Sequence, residues 1–363
     1  MARPTICLNM IVKDEAHVIE RCLASARPLI DRWCIVDTGS TDDTQQRIQA
    51  ALAGVPGTLH QRPWKNFGHN RTEALQLALA EGCEHLLFID ADEQFVVPPG
   101  FAWPPLTADA YELTCHYAGT QYARRALVAT RLPWHWEGVL HEYLDCPQPH
   151  RAQALAAPTI LVQHDGARAH DPQTYLKDIA VLQAALAEQP DHPRYQFYLA
   201  QSQRDAGQLQ AAHASYLRRA ALVGWDEERW YALLQAALLA ERLQHTPADI
   251  AAAYLTAYAA RPSRAEPLVQ LARWHRQQQQ YALACVYAQA ACALPLPADR
   301  LFVEAAVYQW QALDELAVSA YYVPVPAVQA AGREAMRKLL RQAQRLPAEV
   351  QARLRANARF YGL

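Results

Sequence analysis

Phe88-Ile89-Asp90-Ala91-Asp92-Glu93 decides the fold of the first half of the chain, because the apolar run 85–89 ends abruptly in three acids within four residues. The run has the length of a buried strand, and the acids follow at its carboxyl end. In open α/β sheets that edge binds ligands. Carboxylates this close repel one another unless a positive group joins them. The stretch therefore predicts either a cation-assisted ligand site or a solvated acidic turn.

Strand and helix signals alternate on both sides of this stretch, from residue 5 to about residue 165. The predicted elements are strands at 5–12 and 33–36, a short strand near Leu59 and the strand at 85–89, separated by helices at 16–26, 42–52 and 69–81. This order predicts an α/β fold with a mostly parallel sheet covered by helices on both faces. Strand signals at 111–117 and 125–132, joined without a helix, predict an antiparallel excursion before a short strand at 159–163.

The second half of the chain is predicted to be all-helical, because strand signals stop near Asp171-Pro172. We therefore predict one domain over residues 1–170 and another over residues 171–363. A pattern of small and apolar residues between 199 and 216 recurs 72 residues later, which is about two tetratricopeptide (TPR) periods. Stacked helix pairs follow from such a repeat. Beyond the repeat we predict a degenerate pair around 230–261, a further pair at 299–322 and closing helices at 327–345 and 348–361.

Composition limits the binding partners and cellular compartments that are expected for the protein. The 363 residues carry a net charge of −2, which gives no general electrostatic case for a nucleic-acid or membrane partner. The sequence shows no signal peptide and no apolar stretch long enough to cross a bilayer. The eight cysteines are scattered without a Cys-x-x-Cys pair, which is typical of reduced core residues and predicts a cytoplasmic protein.

Polar residues follow several predicted strands and are expected to meet at one edge of the sheet. They are found at 13–15, at 37–38 and at 90–92. Mg²⁺ and Mn²⁺ prefer carboxylate oxygens and share their coordination shell with phosphates, so this edge predicts a cation that carries a phosphorylated ligand. An Asp at a strand end can also accept a hydrogen bond from the imide N–H of a uracil-like base. Asn66, His69, Asn70 and Arg71 open a predicted helix, where anions are favoured.

Five motifs in order resemble those of family 2 glycosyltransferases with the GT-A fold. They lie at 8–15, 35–42, 66–71, 87–93 and 136–142, the last with the pattern Gly-x-x-His-Glu. A helical repeat region after such a domain is similar to the subgroup that includes bacteriocin S-glycosyltransferases of the sublancin type and related bacterial and phage enzymes. The resemblance covers roughly the first 170 residues. It implies a GT-A domain followed by a TPR-like domain.

The resemblance also implies roles for individual residues. Asp37 would hold the nucleotide base, with Asn9, Asn70 and Arg71 near the base or phosphates. Asp92 would bind Mn²⁺ or Mg²⁺, with Asp90 on the metal or the ribose and His141 completing the metal site. Glu142 or Glu137 would be the general base of an inverting transfer. The implied donor is a UDP-sugar, in particular a UDP-hexose.

Several alternatives stay open at this point. The acceptor could be a peptide, a protein, a glycan or a modified nucleic-acid base, recruited by the helical repeats, which could instead support a homo-oligomer. A sugar nucleotidyltransferase or a non-catalytic scaffold would also fit an α/β domain with clustered acids. His141 and His164 could be structural residues, although His164 could also supply a metal ligand. Glu137 could form a surface ion pair with Arg131 or Arg124.

Overall fold

The computed structural model describes residues 4–117 and 120–363. The chain divides into two compact units, one up to Glu188 and the other from Gln189 onwards. An α/β unit followed by a helical unit is the architecture that the sequence predicts. The first unit also contains the helix α5 (Thr174–Glu188), which follows a short helix, α4 (Ala167–His170).

The first unit contains eleven strands and three helices within its α/β part. The strands are β1 (Ile6–Val12), β2 (Arg32–Asp37), β3 (Gly57–Gln61), β4 (His85–Phe88), β5 (Glu93–Val96), β6 (Ala110–Tyr117), β7 (Thr120–Ala129), β8 (His135–Glu137), β9 (Tyr143–Asp145), β10 (Ala152–Ala154) and β11 (Thr159–Val162), and the helices are α1 (Ile19–Ala26), α2 (Thr44–Ala51) and α3 (Phe67–Leu79).

One large sheet has the strand order β3-β2-β1-β4-β7-β6-β11-β5, with β10 beside β6. The strands β3, β2, β1 and β4 are mutually parallel, as predicted. β7 pairs with β4 and β6 in antiparallel fashion, which is the predicted excursion. β8 and β9 form a separate two-stranded ribbon. The parallel strands therefore bring their carboxyl ends to one edge.

The first strand is buried on both faces, which explains its continuous apolar sequence. Ile6, Leu8 and Met10 belong to an apolar cluster that includes α1. The alternate residue Cys7 points to a second cluster with Leu75 of α3. The two periodic faces of β1 thus fix one helix on each side of the sheet.

The predicted strand at 125–132 is displaced in the structure. β7 begins at Thr120 and ends at Ala129. Beyond it, the N–H and hydroxyl groups of Thr130 bond to carbonyls of the turn before β4 instead of extending the ladder. Pro133 follows shortly afterwards and disfavours further regular pairing.

In the second unit, each helix packs on the next helix along the chain. Its helices are α6 (Pro193–Asp205), α7 (Leu209–Ala221), α8 (Asp226–Arg242), α9 (Pro247–Ala260), α10 (Glu266–Gln277), α11 (Tyr281–Cys292), α12 (Ala312–Ala320), α13 (Pro326–Arg341) and α14 (Ala348–Ala358). Most of these contacts join helices that follow one another in the chain, although α10 also contacts α12, and such predominantly local packing is typical of a stacked repeat array.

The repeat is easier to recognise in the backbone conformation of the turns between helices than in the side chains. Gly207, Gln244 and Gln279 follow α6, α8 and α10, and their φ angles are 77°, 57° and 58°. Each residue closes the first helix of a pair in the left-handed conformation. Glycine tolerates that conformation best, so only the first of these turns is evident from the sequence. Whether the pairs are true TPR units stays a prediction.

The predicted helix pair at 299–322 is wrong. A single helix occupies this region, with a π-helical turn at Val307–Gln311 leading into α12. The segment before it is not helical, because Pro295 and Pro297 cannot donate backbone hydrogen bonds. Arg261 and Arg264 then hold the segment in place through Asp299.

Within residues 4–117 and 120–363, no helix has the length and apolar character that crossing a membrane requires. Seven of the eight cysteines are buried and none is in a disulfide, as expected for small core residues.

We expect Arg264→Met to make the helical unit easier to unfold, because it leaves the buried Glu266 without its arginine and removes one of the two arginines that bind Asp299. Arg264 is fully buried and bonds to Glu266, which is also fully buried, at 2.8 Å and to Asp299 at 3.2 Å. Leaving a buried charge without its partner costs about 3–5 kcal/mol. Urea unfolding followed by the fluorescence of Trp230, whose ring lies 3.8 Å from the guanidinium, measures the change. The exposed Arg218, 3.8 Å from Asp191, is the control, and equal losses in Arg218→Met would contradict the expectation.

Candidate active site

The polar residues at the strand ends meet where the sequence predicts. β1 pairs in parallel with β2, with Val12 opposite Asp37, and with β4, with Asn9 opposite Phe88. Asp37 is thus the last residue of β2, and Asp90 follows β4 by two residues. The shared register carries both acids to the same edge of the sheet.

Asp37 has one satisfied and one unsatisfied carboxylate oxygen. The side chain is 1% exposed. Its Oδ1 accepts hydrogen bonds from the N–H groups of Gly39 at 2.8 Å and Ser40 at 2.9 Å. Its Oδ2 is buried and has no hydrogen-bond partner among the residues that the structure describes. Since a buried unpaired acceptor costs about 1–3 kcal/mol, this oxygen is suited to a donor supplied by a ligand.

Arg71 joins residues from three of the predicted motifs. Its Nε donates to Oε1 of Glu142 at 2.6 Å, and its Nη2 donates to Oδ1 of Asp90 at 2.5 Å. The guanidinium also lies 5.0 Å from the ring centre of Trp136. The helix start that carries Arg71 is fixed by Asn66, whose side chain accepts the N–H of His69 as an N-cap. The arginine therefore links α3, the end of β4 and the loop after β8.

A second arginine, which the sequence analysis did not single out as a site residue, completes the chain of charges. Arg124 donates to both carboxylate oxygens of Glu93, at 2.8 and 2.5 Å, and lies 3.7 Å from Asp90. Burial acts to raise the pKa of Asp90, but Arg71 and Arg124 outweigh it and hold that pKa below its usual range. Burial and the charge of Asp90 raise the pKa of Glu93.

Asp92 differs from its neighbours, because within the described part of the chain no basic side chain forms an ion pair with it. Burial, and then the charge of Asp90, raise the pKa of Asp92. A bound cation would relieve both effects. No group of three or more His, Cys, Asp or Glu side chains in residues 4–117 and 120–363 is arranged to hold a metal ion. Mg²⁺ characteristically uses only one or two protein carboxylates plus substrate phosphates, and Asp92 beside Asp90 fits that pattern.

Glu15, at the end of the first motif, lies close to Asp92. A Cβ on Gly166 would be 3.1 Å from Oε2 of Glu15 and 3.2 Å from Oδ2 of Asp92, so both carboxylates border that glycine. Burial raises the pKa of Glu15 to about 7, opposed by a hydrogen bond from Ala167 N–H and assisted by Asp92. Glu15 is therefore a further acid at this edge, and it borders Asp92.

The two predicted asparagines are engaged with the protein backbone. Asn9 is 2% exposed, and its amide nitrogen donates to the carbonyls of Cys34 and Ala74. Asn70 is fully buried; it accepts the N–H of Lys65 and donates to the carbonyl of Pro63. Asn9 thus connects β1 to β2 and α3, and Asn70 connects α3 to the segment that precedes it.

The loop between β8 and β9 lies against the start of α3. A Cβ on Gly68 would come within 2.2 Å of the carbonyl oxygen of Gly138, so only glycine fits there. His141 in this loop is exposed and has a φ of 51°, an uncommon conformation that is found at functional sites. Glu142 is nearly buried against Arg71, with 9% of its side chain exposed.

Glu137 faces solvent, with 48% of its side chain exposed, and its nearest ion-pair partner is His135 at 3.7 Å. The alternative pairs with Arg131 and Arg124 are not formed, because Arg131 binds Asp109 and Arg124 binds Glu93. The carboxylate of Glu137 therefore remains accessible.

His164 follows β11 with a φ of 53°, and its ring lies 4.5 Å from that of Tyr117. His164 is among the groups that act to lower the pKa of Asp90 and Asp92, although burial and the charge of Asp90 outweigh it at Asp92. The sequence analysis named His164 as a further ligand candidate, but it placed Glu15 only among the polar residues that follow the first strand and considered Arg124 only as an ion-pair partner of Glu137. An acid directly after β1 is a usable signal for Glu15. Arg124 lies mid-strand, and only strand pairing reveals its target.

Residues 7–157 match the model of the family described as "Glycosyl transferase family 2". This is the family that the five motifs resemble, and the match covers all five motifs but not His164 or Gly166. It leaves out the helical unit.

Sequence relatives cover short parts of the chain. A TPR repeat-containing protein of Synechococcus elongatus is 35% identical over 106 residues, which is 29% of this chain and 24% of the relative. The prophage-derived glycosyltransferase SunS of Bacillus subtilis is 32% identical over 93 residues, which is 25% of this chain and 21% of the relative. The chain thus spans about a quarter or less of the length of these relatives.

Among solved structures, the similarity is distant. Staphylococcus aureus TarS residues 1–349 give a TM-score of 0.30 at 13% identity over 69% of this chain and 83% of that one. The same protein in complex with UDP gives 0.31 at 12% identity, over 71% and 87% of the two chains.

We expect Glu15→Gln to change how stability depends on pH. The pKa of Glu15 rises from 4.5 to about 7 on folding, so the native protein binds this proton more tightly than the unfolded chain. Its contribution is present below pH 4.5 and is lost as the pH rises through 7. Between pH 5 and pH 8 the variant should therefore gain about 1–3 kcal/mol relative to the wild type.

Urea unfolding at each pH in the presence of a chelator measures this difference. Glu20→Gln is the matched control, because Glu20 lies in the same segment with 60% of its side chain exposed. Parallel pH curves for the wild type and Glu15→Gln would contradict the expected burial of this carboxyl group.

Proposed function

We propose, on the premise that residues 7–157 form a family 2 glycosyl transferase domain, that the chain is a metal-dependent inverting glycosyltransferase. It would move a sugar from a nucleotide-diphosphate donor, in particular a UDP-hexose, to a nucleophilic acceptor. The observation that carries the proposal is a pair of acids at one sheet edge: among the residues that the structure describes, Asp37 has a buried oxygen without a hydrogen-bond partner and Asp92 has no ion pair.

Asp37 is suited to hold the nucleotide base. Its Oδ2 needs a donor, and the imide N–H of uracil supplies one. Because Gly39 and Ser40 already fix Oδ1, the orientation of the carboxylate is set before a ligand arrives. Asn9 and Asn70 would contribute by holding the strands and α3 in register around this pocket.

Asp92, with Asp90 and His141, would hold Mn²⁺ or Mg²⁺. The ion would neutralise charge on the diphosphate leaving group when the bond to the sugar breaks. Asp90 is shared with Arg71, so this arginine sits within reach of the same group and can bind a phosphate through its remaining N–H groups. The positive charges of Arg71 and Arg124 also prevent the acids from repelling an anionic donor.

Glu137 and Glu142 are the two candidates for the general base. Glu142 accepts a 2.6 Å hydrogen bond from Arg71, which occupies one of its carboxylate oxygens. Glu137 is exposed and has only His135 nearby, which favours it as the group that deprotonates the acceptor. Glu142 would then orient Arg71.

The helical unit is proposed to recruit the acceptor, because stacked helix pairs provide extended surfaces. The acceptor classes are a peptide, a protein, a glycan or a modified nucleic-acid base, and the same unit could support a homo-oligomer. The unpaired cysteines are consistent with a cytoplasmic setting, where thiols stay reduced.

We expect UDP to bind more tightly when Mn²⁺ is present, and Asp92→Asn to abolish most of this gain. Losing one carboxylate ligand should weaken Mn²⁺-linked affinity by about tenfold or more, since the amide carries no charge. Isothermal titration of the whole chain with UDP, with and without Mn²⁺, measures both quantities.

Asp109→Asn is the control, since Asp109 pairs with Arg131 away from the strand ends. Nucleotide binding that Mn²⁺ does not affect in the wild type would overturn the metal role. The absence of any UDP binding would leave a different nucleotide or the scaffold alternative.

We expect Glu137→Gln to lower kcat for donor hydrolysis by about 10²–10⁴-fold while UDP affinity stays the same, because the residue acts only on the proton of the attacking group. Glu142→Gln should instead raise KM for the donor, because it releases Arg71 from one of its two acids. Steady-state kinetics with a panel of UDP-sugars separates the two. A loss of kcat confined to Glu142→Gln would assign the base to Glu142.

A further inference from the structure

One arginine of α1 touches two different parts of the site at once. Arg21 donates to both carboxylate oxygens of Asp165, through Nη1 at 2.8 Å and Nη2 at 2.6 Å. The same Nη2 lies 3.4 Å from the backbone carbonyl oxygen of Asp92. A single rigid fork thus spans the acid after β4 and the segment after β11.

The segment 164–167 is also held by two other residues of the region that follows β1. His17 contacts the carbonyl oxygen of Asp165 through Nε2 at 2.7 Å, with the carbonyl accepting. Glu15 accepts the N–H of Ala167 at 3.2 Å. Three side chains from residues 15–21 therefore bind Asp165 and Ala167, which lie between 144 and 152 residues away in sequence.

The fit between this segment and Asp92 is close. A Cβ on Gly166 would lie 3.1 Å from the Cβ of Asp92, which is tighter than ordinary carbon contacts. The φ of Gly166 is −72°, a value that any residue can adopt, so glycine is required for space and not for conformation. The segment therefore forms a wall directly against Asp92.

We propose that Arg21 is a positioning residue for Asp92, holding the wall 164–167 against it so that the carboxylate keeps one orientation. This inference rests on the proposed function of Asp92. The carboxylate of Asp92 lies against this wall, because a Cβ on Gly166 would be only 3.2 Å from its Oδ2, and the wall therefore limits the orientations open to the carboxylate. The ion pair itself contributes little to folding, since 31% of the Arg21 side chain and 40% of the Asp165 side chain are exposed.

Arg21→Met tests the proposal by cutting the connection. We expect faster hydrogen–deuterium exchange in peptides that cover 160–170, because the wall loses two of its hydrogen bonds. Mn²⁺-linked UDP affinity should fall by about tenfold, as is typical when a residue that orients a metal ligand is removed. UDP affinity without Mn²⁺ should stay within about twofold, because Asp37 lies on another strand. Arg21→Lys should give intermediate values, since lysine keeps the charge but not the fork.

Gly166→Ala tests the same contact from the other side. The added methyl group wedges the wall away from Asp92 and leaves the Arg21 ion pair chemically intact. It should lower Mn²⁺-linked affinity without the loss of charge. Arg27→Met is the matched control: Arg27 follows α1 and donates to the carbonyls of Ala51 and Ala53, so its loss affects stability but not the wall.

The outcomes separate this inference from the proposed function. Unchanged exchange in Arg21→Met would overturn the inference whatever the protein binds. Faster exchange with unchanged Mn²⁺-linked affinity would overturn the positioning role, as would an equal loss in Arg27→Met. If the wild type shows no Mn²⁺-linked UDP binding at all, the proposed function of Asp92 fails, and the positioning role for that acid fails with it.

Discussion

Electrostatic repulsion between carboxylates at one sheet edge is the constraint on which the site depends. Asp90 and Glu93 are neutralised by Arg71 and Arg124, which come from a helix and from an antiparallel strand. Asp92 receives no such partner in the described ranges and is left with a raised pKa. Two of the three acids after β4 are thus paired with arginines, and Asp92 is the one on which the proposed cation role rests.

The supporting structure follows from this division. The polar groups of Asn9 and Asn70 bind backbone atoms, and Gly68 allows the loop after β8 to reach α3. The wall around Gly166 lies directly against Asp92. The contacts of Asn9, Asn70 and Gly68 restrain the backbone around the acids without adding charge, which would suit the anionic donor proposed above.

In the helical unit, the sequence repeat predicts only part of the backbone conformation that the structure shows. Its repeat is visible from small residues and from Gly207, yet Gln244 and Gln279 adopt the same left-handed turn without glycine. The packing of neighbouring helices fixes those turns, so local preference is overridden. Conversely, prolines break the region before α12, where helical composition alone predicts a pair.

The sequence by itself determined the alternation of strands and helices, the sheet edge at which Asp37, Asp90 and Asp92 lie, and the match of residues 7–157 to a family model. These features depend on periodicity and on motifs that are local in the chain. The tertiary structure alone decided which acids are paired. Arg124 reaches Glu93 because β7 lies beside β4 and β6. Arg21 contacts Asp165 although 144 residues separate them in the sequence. Electrostatic pairing depends on distance in space, and a distance between residues far apart in sequence is set only when the chain folds.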